Sequence, residues 1–171
     1  MNHQEFISQV VPLKNKLFRF ARRYLEQTEE AEDVVQEVFI KLWTRREKLD
    51  EYRSVEALAM ITTKNICLDR IKSRRHPVDP IDDHRRFLEN LPEEQKKDYS
   101  EEIFRVRLAI KALPTQQQMI IQLRDIEGYD FESIAEILEM NENAVRVNLS
   151  RARKRIRELI TTSKVYDYQR N

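Results

Sequence analysis

The chain has 171 residues, 36% of them charged and 40% apolar, with one glycine, one cysteine and a formal net charge of +1. That length permits one or two domains with real cores, while a single glycine excludes the familiar glycine-rich phosphate loops and leaves little for tight hairpins. The lone Cys67 excludes a disulfide framework and a thiolate metal site, no apolar run reaches membrane-spanning length, and the opening MNHQEFISQV does not read as a signal peptide, so a soluble cytoplasmic protein is expected.

The near-neutral total hides a segregation of charge. Residues 140–171 hold eight Lys/Arg against three Asp/Glu, whereas residues 77–103 hold four against nine. Local clusters bear on nucleic-acid binding more than the total does. Long stretches of 3.6-residue apolar period, with so little glycine, predict an all-α fold.

Phe6 to Tyr24 carries apolar residues at 6, 10, 13, 17, 20/21 and 24 and reads as one helix. Thr28 is read as the cap of the next, whose first turn is crowded with Glu29, Glu30, Glu32 and Asp33, where negative charge suits the helix dipole. Val34, Val35, Val38, Phe39, Leu42 and Trp43 form its apolar face, with Trp43 expected in the core, and Asp33, Gln36, Glu37 and Ile40 line another face. Residues 44–53 read as a polar loop. Ser54 then caps a helix to about Arg75, with Ala57, Leu58, Ile61, Leu68 and Ile71 inward and Cys67 a small buried residue. Pro77, Pro80 and Pro92 and the acidic excess mark 77–100 as a linker, with a brief turn at Phe87, Leu88 and Leu91.

Phe104 to Leu113 is read as a helix broken by Pro114, and Thr115 to Ile126 as another, with Gly128 at the position past its end that needs positive φ. The next stretch is the most informative. Phe131, Ile134, Ala135 and Leu138 fall on one buried face; Met140-Asn141 interrupts the period; Asn141 caps a second helix from Glu142. Val145, Leu149, Ala152 and Ile156 point inward there, and Arg146, Arg151, Arg153, Lys154, Arg155 and Arg157 occupy the other faces. A short helix supporting a basic, outward-facing one is the geometry of a helix-turn-helix entering the DNA major groove. A merely solvated charged helix is the alternative.

Taken in order, AEDVVQEVFIKLW at 31–43, YRSVEALAMITTKNICLDRIKSRR at 52–75, the acidic linker and LPTQQQMIIQLRDIEGYDFESIAEILEMNENAVRVNLSRARKRI at 113–156 resemble an extracytoplasmic-function (ECF) sigma factor of bacterial RNA polymerase. The resemblance implies two small helical domains joined by an acidic flexible linker. These are residues 1–76, for core polymerase binding and proximal-element melting, linker 77–100, helix-turn-helix domain 101–164 and tail 165–171. It implies a dissociable subunit that binds core RNA polymerase and promoter DNA, performs no bond chemistry, needs no cofactor and takes no small-molecule substrate, and is controlled by an anti-sigma factor.

The resemblance also implies residue roles. Asp33, Gln36, Glu37 and Ile40 would face the polymerase; ionised acceptors on a helix suit arginine-rich partners. Arg146, Val147, Ser150 and Arg151 would face the groove at the distal (minus-thirty-five) element, where Arg can bond guanine bidentately and Val can touch a thymine methyl. Asn143, Asn148, Arg153 and Lys154 would hold phosphates. At the proximal (minus-ten) element, which must be opened, Tyr52, Arg53, Lys64 and Asn65 are the candidates for holding unpaired bases. Here the chain departs from the family pattern. The loop is short and lacks the usual glycine, and Leu58 stands where an aromatic is common. A buried, hydrogen-bonded Asn65 is the competing reading, and for the linker a plain soluble spacer competes with a polyanion threading the polymerase's nucleic-acid channel.

Two other function classes fit less of the chain. A stand-alone helix-turn-helix regulator explains 131–157 but gives the N-terminal half no task, and no heptad run supports a coiled-coil dimer. A helical enzyme finds no support in His3, His76 and His84, which are scattered and lack metal-ligand spacing.

Overall fold

The computed structural model describes residues 1–25, 27–73 and 101–169. The expectations for Arg74, Arg75 and the 77–100 linker, with its turn at Phe87, Leu88 and Leu91, lie outside these residues. Every described element is a helix, and none is long and apolar enough to cross a membrane. The described residues up to Ser73 make one compact unit, and those from Glu101 onward supply the bulk of a second.

The first unit holds α1 (His3–Val10), α2 (Lys14–Tyr24), α3 (Thr28–Thr44) and α4 (Val55–Ser73), with short 3-10 turns at Val11–Leu13 and Arg46–Glu51. The single helix expected over 6–24 is two. Pro12 has no N–H to give an α-helical bond, so the chain tightens through a 3-10 turn and resumes at Lys14. The apolar period survives the break, because Phe6, Val10, Leu17, Phe20 and Ala21 are all buried. Asn2 and Glu5 form a reciprocal capping box that starts α1: Glu5 N–H donates to Asn2 Oδ1 at 2.9 Å and Asn2 N–H to Glu5 Oε2 at 2.7 Å.

Thr28 is the first residue of α3 rather than its cap; Gln27 holds the cap position without a side-chain bond. Ala31, Val34, Val35, Val38 and Leu42 are buried, but Trp43 is not the core residue expected. It remains 37% exposed, with the rings of His3 and Phe6 edge-on at 5.4 and 5.1 Å and the Arg46 guanidinium 4.5 Å above its ring. The expected loop at 44–53 contains a 3-10 turn pinned by Leu49, which is fully buried. Ser54 caps α4 as expected, its Oγ accepting from Ala57 N–H at 3.0 Å. α4 packs against α1, α2 and α3 together, so Ala57, Ala59, Met60, Thr63, Ile66 and Cys67 are buried on several sides. The expected inward residues Leu58, Ile61, Leu68 and Ile71 are only half-buried.

The described residues from Glu101 onward form α5 (Glu101–Lys111), α6 (Thr115–Ile121), a π-helical turn (Gln122–Ile126), α7 (Phe131–Leu138) and α8 (Glu142–Gln169). Pro114 ends α5, and Gln118 Nε2 reaches back to the carbonyls of Lys111 and Leu113 at 3.1 and 2.8 Å, satisfying acceptors that the helix end leaves open. The helix expected over 115–126 widens after Ile121: Glu127 N–H bonds Gln122 C=O, five residues back, at 2.9 Å. Gly128 follows with φ +78°, in the left-handed region as expected. α8 packs on α5 and α6 and runs to Gln169, into the stretch read as a tail.

Candidate nucleic-acid and polymerase surfaces

The turn between α7 and α8 is built from backbone bonds. Met140 N–H donates to Ala135 C=O at 3.0 Å and Glu139 N–H to Glu136 C=O at 3.3 Å, with Glu139 at φ +56°. This is a Schellman close, with a glutamate at the left-handed position where glycine is usual. Asn141 Oδ1 then accepts from Ala144 N–H at 2.7 Å and starts α8 where expected. Asp130 does the same for α7, accepting from Ser133 N–H at 2.7 Å, a cap the apolar period did not reveal.

Val145, Leu149 and Ala152 are buried and Ile156 is half-buried, which fixes the inward side of α8. At 100° per residue, Asn143, Val147, Ser150, Arg151 and Lys154 fall within an arc of about 100° directly opposite. All five are exposed, Val147 to 40%. Arg151 and Lys154 make no ion pair with any described residue. Their charge is therefore uncompensated on the outward strip.

Three of the flanking arginines are engaged within the unit. Arg146 bonds Glu142 Oε2 at 3.4 Å and lies 3.9 Å over the Phe131 ring. Arg153 grips Asp125 bidentately, Nε to Oδ2 at 3.1 Å and Nη2 to Oδ1, which holds its guanidinium above its ordinary range. Arg155 pairs with Glu158 at 3.4 Å. Asn148 turns its amide to the Ala144 carbonyl of its own helix at 2.9 Å. The expected set thus divides into an open strip and a tethered flank. On α7, Ile134 and Ile137 are the buried pair, while Phe131, read as core, is half-buried beneath arginine.

On α3, Asp33, Gln36, Glu37 and Ile40 share an arc of about 100° opposite the buried valines. Ile40 is 65% exposed, the most exposed large apolar side chain described. Glu37 is held by Lys41 at 2.8 Å and by Arg70 of α4 at 3.4 Å; the Lys41 bond comes first in lowering its carboxyl below the usual range, against a smaller opposing effect of burial. Arg70 also donates to the Glu30 carbonyl at 3.2 Å.

The four proximal-element candidates do not form one site. Tyr52, 45% exposed, and Arg53 line a cleft of about 440 Å³ with Gln9, Leu13, Leu49, Asp50, Val55 and Glu56. Lys64 and Asn65 lie two to three turns further along α4, about 14 Å from Val55 at 1.5 Å per residue. Asn65 is exposed, against the buried reading.

Residues 10–76 match the family described as Sigma-70 region 2, and residues 103–156 the family described as Sigma-70, region 4. The chain is 30% identical over 162 residues to the ECF RNA polymerase sigma-E factor of Escherichia coli (strain K12), covering 86% of this chain and 82% of that one. It is 25% identical over 146 residues to the ECF RNA polymerase sigma factor SigM of Mycobacterium tuberculosis, covering 85% and 71%. Its fold is similar to that of the sigma factor RpoE from Bartonella quintana, solved with the anti-sigma factor NepR (TM-score 0.67, 20% identity, covering 92% and 98%). It is also similar to that of CnrH, solved with the cytosolic domain of CnrY (TM-score 0.68, 23% identity, covering 94% and 90%).

Proposed function

Since the chain belongs to the ECF sigma factors, the initiation subunits that direct bacterial RNA polymerase to promoters, we propose that its surfaces divide that task as follows. The open strip of α8 enters the major groove at the distal element. Val147, Ser150 and Arg151 meet base edges, and Asn143 and Lys154 meet phosphates. The observation that carries this is the placement of the uncompensated Arg151 and Lys154 opposite the buried Val145, Leu149 and Ala152. A helix so braced presents cationic and apolar groups together, which is what direct readout of a guanine or a thymine methyl requires.

The α3 strip docks core polymerase, with Ile40 as an apolar anchor inside a carboxylate and amide rim. Tyr52 and Arg53 receive an unpaired base of the proximal element in their cleft, by stacking and charge, and Asn65 meets the strand further along α4. An anti-sigma factor covers one or more of these surfaces, as the Bartonella quintana likeness, solved with NepR, supports. The protein works as a binding subunit in the cytoplasm and catalyses no reaction.

The test is run-off transcription by core polymerase on a library of upstream fragments, with and without the protein. Specific transcripts are expected only with it. Ile40→Asp should abolish them while leaving the fold intact, since the residue is so exposed. Specific DNA binding by the protein alone, with no stimulated transcription, would replace this reading with a stand-alone regulator.

A further inference from the structure

Phe131 opens α7, outside the recognition helix, and its half-buried ring carries two cations. The Arg146 guanidinium lies 3.9 Å from the ring centroid and that of Arg124 lies 4.7 Å from it. The Arg124 guanidinium is also held by a hydrogen bond, Nη1 donating to the Tyr129 carbonyl at 2.7 Å. Arg146 has otherwise only a long bond to Glu142 at 3.4 Å, one turn back on its own exposed surface. The ring is therefore the main restraint on Arg146. An unrestrained arginine loses considerable rotamer freedom on binding, whereas a guanidinium stacked on an aromatic face is already ordered. Stacking leaves the edge N–H donors free, and those are the donors that bond a guanine edge or a phosphate.

We infer that Phe131 is a positioning residue for promoter recognition: its ring holds the Arg146 guanidinium in a DNA-competent orientation. The inference rests on the sigma-factor reading and names a determinant of its distal-element contact. It gives the first helix of the motif an energetic part in readout, and it accounts for an aromatic at a place where the 3.6-residue period asks only for an aliphatic. Arg124, bonded to the Tyr129 carbonyl in the loop before α7, is carried by the same ring, so the platform links that loop to the recognition helix.

Two measurements on the full chain test this. The first is side-chain NMR relaxation at Arg146 Nε in the free protein, with the exposed Arg151 as internal reference. Arg146 should be markedly more ordered than Arg151 in the wild type and equally mobile in Phe131→Leu. Equal mobility already in the wild type would overturn the inference, whatever the protein binds.

The second is a double-mutant cycle on a promoter fragment recovered by run-off transcription, with the chain assembled on core polymerase. Phe131→Leu should weaken promoter binding about two- to fivefold, Phe131→Tyr should restore it, and Phe131→Leu should cost nothing further in an Arg146→Ala background. The same loss in both backgrounds would mean that the ring acts on DNA or on the fold, not through Arg146. Failure of the sigma-factor reading shows separately, as absence of any wild-type transcript, and leaves the relaxation result to decide.

Discussion

Asp125→Asn tests whether the tethered flank of α8 limits DNA affinity. Arg153 is 51% exposed and Asp125 32%, so their bidentate pair sits at the surface, where such pairs contribute at most about 1 kcal/mol. Removing the charge should therefore lower the urea midpoint only slightly. The effect on DNA is expected to be larger. A carboxylate about 7 Å from a phosphate repels it by about 0.6 kcal/mol in water, roughly halved by physiological salt. If the released Arg153 captures a phosphate, one more counterion is displaced, steepening log K against log[salt] by about 0.9. At 0.1 M salt the gain is about twofold from relieved repulsion alone and about thirteenfold if Arg153 also captures a phosphate. The assay is anisotropy titration of a labelled promoter duplex with the assembled polymerase across a range of KCl concentrations, for wild type, Asp125→Asn and Asp125→Asn/Arg153→Ala. An unchanged slope and affinity in the single variant would refute the reasoning, because Arg153 would then not reach a phosphate even when released.

Other outcomes follow from local geometry. Gly128→Ala at φ +78° should lower stability by about 1 kcal/mol in urea denaturation, for backbone reasons alone, since an added Cβ meets nothing within 4 Å. Leu49→Ala should cost about 2–5 kcal/mol by the same measurement and enlarge the cleft beside Tyr52, because Leu49 is fully buried and lines it. Glu37 should titrate below the ordinary glutamate range near 4.3. Its pairing then adds stability above that pH and loses it as pH falls through the lowered folded value, and Lys41→Met should move the NMR midpoint upward.

What was legible in the sequence was whatever a local rule governs. Asn141 and Ser54 cap helices because a short oxygen-bearing side chain before an apolar run has few other uses. Gly128 turns left-handed because the only glycine in the chain stands just past a helix end. The outward strip of α8 followed from its period, since Val145, Leu149 and Ala152 leave only one opposite side. The break at Pro12 was concealed by an apolar period that continues through it. Leu49 is a single apolar residue in a polar run, so no period could announce its burial. The Asp125 to Arg153 pair joins residues 28 apart, and nothing local in either segment specifies it. Trp43 and Phe131 depart from the expected core for one shared reason: an aromatic on an apolar stripe looks like core, but both carry a guanidinium over the ring.

The π-helical turn at Gln122–Ile126 sets how this part of the chain tolerates insertion and deletion. A π turn contains about one residue more than an α turn. Deleting one residue there would let the segment close with ordinary i to i−4 bonds, so the lesion would be locally silent. Everything downstream would leave the helix at nearly the same angle and height, because the extra residue of a π turn is absorbed within the turn and not added to the helix. Only side chains of the turn itself, Arg124 toward the Tyr129 carbonyl and Asp125 toward Arg153, would change their aim. The wide turn thus acts as a length buffer, taking up one residue without passing a change of phase to the helix-turn-helix beyond it.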